Sequence, residues 1–182
     1  MEELLALFST PEGAIAQCVG FVAMGVALVT FTFRTRKRIL VSKMIADLLW
    51  VIHYLLLGAT SGAAINAINA VREGVFYHKE KKWASTVLWP ALFVCANAVS
   101  TVFSWQGWIS LIPLLGSSIN VIALWCATPR WMRLLSIPAL TLWEIYSILV
   151  GSVPSMIVNV LSIISAIWGL SRDAWQKRER IA

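Results

Sequence analysis

Apolar residues fall into seven long segments, which are separated by short links that are either polar or basic. Each segment is close to the roughly 20 residues that an apolar helix needs to cross a bilayer. The pattern therefore predicts seven transmembrane helices, at about 13–33, 39–57, 62–77, 84–103, 109–127, 134–150 and 155–170.

The links between these segments alternate in charge. Basic residues cluster in the links one–two, three–four and five–six and in the tail after the seventh segment, whereas the other three links contain none. With seven crossings the four basic places lie on one side of the membrane, which the positive-inside rule makes the cytoplasm. The N-terminus is then predicted outside and the C-terminus in the cytoplasm.

Composition agrees with an integral membrane protein. Apolar residues make up 59% of the chain and charged residues 13%, with a mean hydropathy of +0.76, whereas a soluble domain carries about 25% charged residues. The net charge of +6 is explained by the basic links, which orient the chain in the bilayer. No nucleic-acid partner is expected. The N-terminal stretch has no basic leader, so the first segment is expected to be a retained span.

One stretch of sequence occurs twice. WVIHYLLLGATSGAAIN, from Trp50 to Asn66, is followed 93 residues later by WEIYSILVGSVPSMIVN, from Trp143 to Asn159, with the Trp, central Gly and Asn in register. The offset maps the first three segments onto the last three and leaves the fourth between them. This predicts a 3+1+3 parallel repeat about an axis along the membrane normal. The units are a first triple-helix bundle at 1–78, a linker helix at 79–107, and a second bundle with a basic C-terminal tail at 108–182.

Each copy is predicted to be a helical hairpin that turns at its glycine. Trp50 lies eight residues before Gly58 and Asn66 lies eight after it, so both lie about 12 Å below the turn. Trp143 and Asn159 repeat this arrangement. If the copies face each other, the four side chains form one layer that suits a small neutral polar solute with a flat apolar face. The alternative is that the indoles only pack and the amides only join helices.

Ionisable side chains within the predicted spans are candidates for a gate or for coupling, because such groups are costly in a bilayer. Asp47 and Asn69 lie one helical turn deeper than the Trp/Asn layer. Arg72 is expected to pair with Asp47 or Glu73, or to extend toward the interface. A purely structural ion pair is an equal alternative.

Glu144 follows Trp143 directly and therefore points about 100° away around the helix. It is expected to be protonated or to pair with His53 across the bundle, either of which would allow coupling to protons; a structural role is left equally open. His53 is matched by Tyr146 in the second copy, which gives no support to a metal or general-base role. The chain contains no GxSxG, HExxH or phosphate-loop motif, so neither an enzyme nor a cofactor or metal site is predicted.

The three-one-three plan, with Trp on the second helix and Asn on the third helix of each triplet, resembles the SWEET and PQ-loop (MtN3-like) transporter superfamily. The stretch SKMIADLLWVIHYLLLGATSGAAINAINAVREGVFY is more closely similar to the bacterial inner-membrane family of the YgjV type. The resemblance implies a facilitator for a small neutral polar solute, with a sugar as the leading candidate and the Trp/Asn layer lining its pocket. No PQ dipeptide occurs, and Pro113 and Pro138 have no counterparts in the first triplet.

The resemblance leaves three functions to be compared. The first is a passive or proton-coupled sugar carrier, and the second is a carrier of a vitamin or nucleoside, as in the PnuC type. The third is a non-transporting receptor or assembly factor of the same fold, which would bind a partner or anionic lipid through its basic links. The bacterial inner membrane is the expected location, the bilayer is the expected environment, and a homo-oligomer is left open.

Overall fold

The computed structural model describes residues 10–30, 32–33, 35–126 and 128–179, with the side chains of all of these except residues 36, 129 and 173–179. The first nine residues and the last three, which belong to the predicted N-terminal stretch and basic tail, lie outside this description. The described chain forms seven α-helices: α1 (Pro11–Thr30), α2 (Arg36–Leu56), α3 (Thr60–Tyr77), α4 (Leu88–Phe103), α5 (Leu111–Trp125), α6 (Pro129–Leu149) and α7 (Val153–Glu179).

The helices follow the predicted segments in number and order. Within the described ranges, five helical stretches are long and apolar enough to cross a membrane: Pro11–Thr30, Lys37–Leu56, Trp108–Trp125, Arg130–Leu149 and Val153–Arg172. Helix α4 is apolar but shorter. Helix α3 is not among the five, and several of its polar and charged side chains are buried.

The two halves of the chain share local structure at equivalent residues. Helices α2 and α6 begin and end 93 residues apart, and the residues that precede them, Thr35 and Thr128, have nearly the same extended backbone conformation. The glycines that follow these helices, Gly58 and Gly151, both have φ of +70°. A left-handed conformation of this kind is strained for a residue with a Cβ, which explains why glycine ends both helices.

Both hairpins turn through the same arrangement of backbone hydrogen bonds. The N–H of Ala59 donates to the Tyr54 carbonyl at 2.8 Å, and the N–H of Gly58 donates to the Leu55 carbonyl at 3.0 Å. The same pair of bonds recurs at Ser152 and Gly151, at 2.9 and 3.3 Å. This is the Schellman motif, which satisfies the last carbonyls of a helix. The glycine turns predicted from the duplicated stretch are therefore formed by one mechanism in both copies.

The helices pack as two groups of three with α4 on one side. Helix α2 packs between α1 and α3, and α6 packs between α5 and α7. The groups meet where α1 contacts α7 and where α3 contacts α5, and α4 packs against α3 and α5. The 93-residue offset in the sequence relates the first of these contacts to the second. We call the end with the Gly58 and Gly151 turns the turn end, and the opposite end, with the basic links, the link end.

Burial in the molecule is reversed relative to a soluble protein. Polar and charged side chains such as Gln17, Arg72, Glu73 and Asn97 are buried, whereas many large apolar side chains on the outer helix faces are exposed. Lipid solvates such an apolar surface, while the polar groups of a membrane protein gather in its interior. The packing therefore suits a bilayer on all sides of the helices.

Candidate functional site

A cavity of about 110 Å³ lies where α2 and α3 of the first group face α6 and α7 of the second. All four side chains of the predicted Trp/Asn layer line it: Trp50, Asn66, Trp143 and Asn159. Trp50 and both asparagines are buried, and Trp143 is half-buried. Their common position between the two groups follows from the equal spacing of Trp and Asn around each turn glycine.

Tyr54 lies between the two indoles. Its ring centroid is 6.0 Å from that of Trp50 and 6.1 Å from that of Trp143, in both cases at an interplanar angle of 33°. The hydroxyl of Tyr54 is hydrogen-bonded to Ser155 Oγ on α7 at 2.9 Å. One wall of the cavity is therefore a continuous row of three aromatic rings contributed by both groups of helices.

The two layer asparagines are held by bonds from their amide nitrogens. Asn66 Nδ2 donates to the Gly62 carbonyl at 2.8 Å. Asn159 Nδ2 lies 3.3 Å from Ser147 Oγ and 3.4 Å from Ser155 Oγ. In this part of the structure the amide nitrogens fix the side chains, and the cavity lies beside both amides.

Reciprocal contacts close the space between the cavity and the turn end. On α2, His53 Nε2 lies 2.6 Å from Ser152 Oγ, just before α7. At the equivalent position of α6, the Tyr146 hydroxyl accepts the Gly62 N–H at 2.8 Å and is hydrogen-bonded to Ser61 Oγ at 3.1 Å. Each residue thus extends from the middle helix of one group to the start of the third helix in the other.

The tautomer of His53 follows from its second contact. His53 Nδ1 lies 2.7 Å from the Ala16 carbonyl oxygen, and a carbonyl only accepts, so Nδ1 carries a proton. Both ring nitrogens are thereby used, and the expected pairing of His53 with Glu144 is wrong. Glu144 lies instead beside Asn159. Helical periodicity gave the direction of Glu144 around its own axis but not the neighbouring helix.

An ionic cluster forms the wall of the cavity toward the link end. Arg72 Nη2 is 2.9 Å from Glu73 Oε1, and Lys43 Nζ is 3.9 Å from the same oxygen. Asp47 and Asn69 line the cavity beside them. Arg72 is only 1% exposed, so the expected extension of its side chain to the interface is wrong, and the structure adopts the pairing with Glu73.

Asn69 is held by a chain of polar side chains. Ser117 Oγ donates to Asn69 Oδ1 at 2.7 Å and lies 3.1 Å from the Nδ2 of Asn97 on α4. The chain connects the first group to α4 and α5 and fixes one edge of the cavity. Among the residues described, no group of three His, Cys, Asp or Glu side chains is placed to hold a metal ion.

The cavity adjoins a larger cleft on its link-end side. A space of about 360 Å³ between α1, α2 and α7 is lined by Thr30 and Phe33 and shares Lys43, Asp47, Trp50 and Val158 with the cavity. At the turn end, a separate depression of about 720 Å³ is lined by both turn glycines. The contacts of His53 and Tyr146 stand between this depression and the cavity.

Five residues that line the cavity were not among the predicted site residues: Lys43, Tyr54, Asn120, Ser155 and Val158. Lys43 precedes Asp47 by four residues on α2, so helical spacing could have placed it on the same face. Asn120 and Ser155 also line the cavity. Asn120 is equivalent to Ala27 in the first copy and Ser155 to Gly62, so the repeat gave no signal for either.

Comparison with known proteins identifies a family. A family model described as bacterial inner membrane protein, Imp-YgjV, matches residues 14–177. The chain is also 22% identical over 145 residues to "Inner membrane protein YgjV" of Escherichia coli (strain K12), covering 80% of this chain and 76% of that protein. The chain matches no solved structure. It therefore belongs to the Imp-YgjV family of bacterial inner membrane proteins.

Proposed function

We propose that this inner membrane protein is a carrier that moves a small polar solute without net charge across the bilayer. The observation that supports it is the position of Trp50, Asn66, Trp143 and Asn159. They come from two stretches that are 93 residues apart, and they line one cavity between the two groups of helices. Indole faces suit a flat apolar surface, and amides suit hydroxyl or carbonyl groups. Packing alone would not require an enclosed space between them.

The arrangement around the cavity supports alternating access. Hydrogen bonds between the two groups close the turn-end side, while a cleft adjoins the link-end side. In the proposed cycle the groups rock about the cavity as parallel repeats, so that it is exposed first at one end and then at the other. All seven helices cross the bilayer in this proposal, with the link end in the cytoplasm.

The size of the cavity limits the solute in the present conformation. Its volume of about 110 Å³ holds several water molecules and is well below the roughly 300–1,000 Å³ of pockets for drug-sized ligands. Sugars are the class that the resemblance to SWEET carriers implies, and they belong in any panel. Monosaccharides, vitamins and nucleosides would all require a wider cavity than the one observed.

Uptake of labelled solutes into proteoliposomes tests the proposal. Purified protein should transport at least one small uncharged or zwitterionic solute, and Trp50→Ala or Asn159→Ala should reduce its uptake about tenfold or more. Trp168→Ala is the matched control, because Trp168 is 73% exposed on the outer face of α7 and should leave uptake unchanged.

Two results would contradict the proposal, the first its binding site and the second its carrier function. If uptake is unchanged in Trp50→Ala and Asn159→Ala, these residues do not form the binding site. Specific binding of a solute with no uptake by the intact protein would favour a receptor of the same fold.

A further inference from the structure

The ionic cluster at the cavity belongs to the first group of helices alone. Lys43, Asp47, Arg72 and Glu73 correspond, 93 residues later, to Ser136, Leu140, Ser165 and Ala166. The duplicated Trp/Asn layer therefore does not require these charges, and the second group folds without them. Charged groups within a membrane protein are costly and are retained where they serve a function.

The hydrogen bonds of the cluster are incomplete. A guanidinium has five N–H donors, and the contact of Arg72 with Glu73 uses Nη2. In the described structure Nε and Nη1 of Arg72 have no partner, and neither do Oδ2 of Asp47 and Oε2 of Glu73, although all these atoms are buried. Buried polar groups of this kind normally have partners. Of these residues Arg72 and Asp47 line the cavity, so its wall has unsatisfied donors on Arg72 and an unsatisfied acceptor on Asp47.

The formal charges of the cluster sum to zero, because it contains two basic and two acidic side chains. A solute with one net charge would leave an uncompensated charge in the interior, which is strongly unfavourable. A solute with no net charge but with separated positive and negative groups would satisfy both kinds of unpaired atom. Its hydrogen bonds would be charge-assisted and about twice as strong as those of an uncharged hydroxyl.

We propose that the solute is a small zwitterion whose carboxylate binds Arg72 and whose ammonium binds Asp47, with its remaining atoms against Trp50 and Trp143. All four residues line the same cavity, and the described residues include no ion pair between Asp47 and Arg72. Each of these two side chains is therefore able to bind a separate group of the solute. The inference rests on the proposed site and makes its solute class specific.

Binding to the detergent-purified protein tests the inference separately from transport. The probes are L-alanine, its N-acetyl derivative and its amide, which keep the carbon skeleton but lack the ammonium or the carboxylate, with glucose as an uncharged comparison. Binding is measured by isothermal titration and by protection against thermal unfolding. Removing either charge should weaken binding about tenfold or more, because a hydrogen bond to a charged group contributes roughly 1.5–3 kcal/mol.

Three outcomes would overturn the inference. If glucose binds and L-alanine does not, the zwitterion assignment is wrong while a carrier function stands. If N-acetyl-alanine or alaninamide binds as tightly as L-alanine, or if none of the three binds, the assignment is also wrong. The uptake assay tests the carrier function separately. A wrong solute class can therefore be distinguished from a wrong function.

Variants test which residue binds the ammonium and which binds the carboxylate of the solute. Asp47→Asn should reduce the ratio of affinities for L-alanine and its N-acetyl derivative to near one. Glu80→Gln is the control and should preserve this ratio, because the side chain of Glu80 is 81% exposed near Lys37. A general loss of folding would weaken both ligands equally and would not change this ratio. For Arg72, the paired variant Arg72→Gln/Glu73→Gln keeps the cluster neutral and should abolish the preference over alaninamide. A preserved ratio in either variant would refute the assignment of that residue.

Discussion

The contact between Gly62 and Tyr146 gives a sharp test of how the turn end is closed. A Cβ built on Gly62 would lie 2.6 Å from Tyr146 Cε1 and 2.7 Å from its hydroxyl oxygen. Atoms do not approach this closely, so Gly62→Ala must displace the Tyr146 ring or α3. Overpacking of this kind typically costs 1–3 kcal/mol, and displacement of Tyr146 would also break its hydrogen bonds to Gly62 and Ser61.

The expected loss is measured as a change in the free energy of unfolding in detergent. Gly74→Ala is the matched control on the same helix, because a Cβ there would meet nothing within 4 Å. Since alanine is about 0.5–1 kcal/mol better than glycine within a helix, Gly74→Ala should be neutral or stabilising. Gly62→Ala should be less stable than the parent by about 1–3 kcal/mol.

A double-mutant cycle identifies the cause. In a Tyr146→Ala background the ring that blocks the new methyl group is gone, so adding Gly62→Ala should cost little. The reasoning is refuted if Gly62→Ala is as stable as Gly74→Ala in the parent, or if its cost is unchanged when Tyr146 is removed. The same variants bear on gating, because a weakened turn-end closure should increase the exposure of the cavity at that end.

Two further predictions concern stability, each measured by unfolding in detergent. Gly58→Ala and Gly151→Ala should each cost about 1–2 kcal/mol, because both glycines have φ of +70° and a left-handed residue with a Cβ is strained by that amount; a loss at one glycine only would contradict the shared turn motif. Arg72→Met should cost up to about 3–5 kcal/mol, because it leaves the buried Glu73 with only the longer contact to Lys43, at 3.9 Å. Arg72→Met/Glu73→Leu should recover much of that loss, and equal stability of the two variants would show that the pair is not coupled.

The sequence predicted those features of the fold that depend on local spacing. The number of helices follows from apolar segment length, and the two turns follow from a glycine that ends each of two matched helices. The positions of Trp50 and Asn66 relative to Gly58 are also local, because a helix has a fixed rise per residue. The comparison of equivalent residues then extended the same geometry to the second copy.

Contacts between helices could not be predicted in the same way. The bond from His53 to Ser152 joins residues 99 positions apart, and it depends on which helices meet and at what height. Glu73 was one of the two partners predicted for Arg72, but helical periodicity could not select it over Asp47, since adjacent residues on one helix point about 100° apart. The long guanidinium side chain and the shared burial bring the charges together.

Features that occur in both copies and features that occur in only one have different proposed roles. The features shared by both copies lie at the cavity or on its turn-end side, and through them the two groups close against each other. They are the turns, the Trp/Asn layer and the contacts of His53 and Tyr146. The ionic cluster has no counterpart in the second group. It lies on the link-end side of the cavity, beside the cleft between α1, α2 and α7.

This asymmetry has a consequence for the proposed transport cycle. Helix α4 packs across the contact between α3 and α5, whereas the cleft lies at the equivalent contact between α1 and α7. A carrier needs one contact that holds the groups together and another that separates. The position of α4 assigns the first role to α3 and α5, so that a solute would reach the charges of Asp47 and Lys43 through the contact between α1 and α7. A dipolar solute entering there would bind in one orientation only, because the second group offers no matching charges at the equivalent positions.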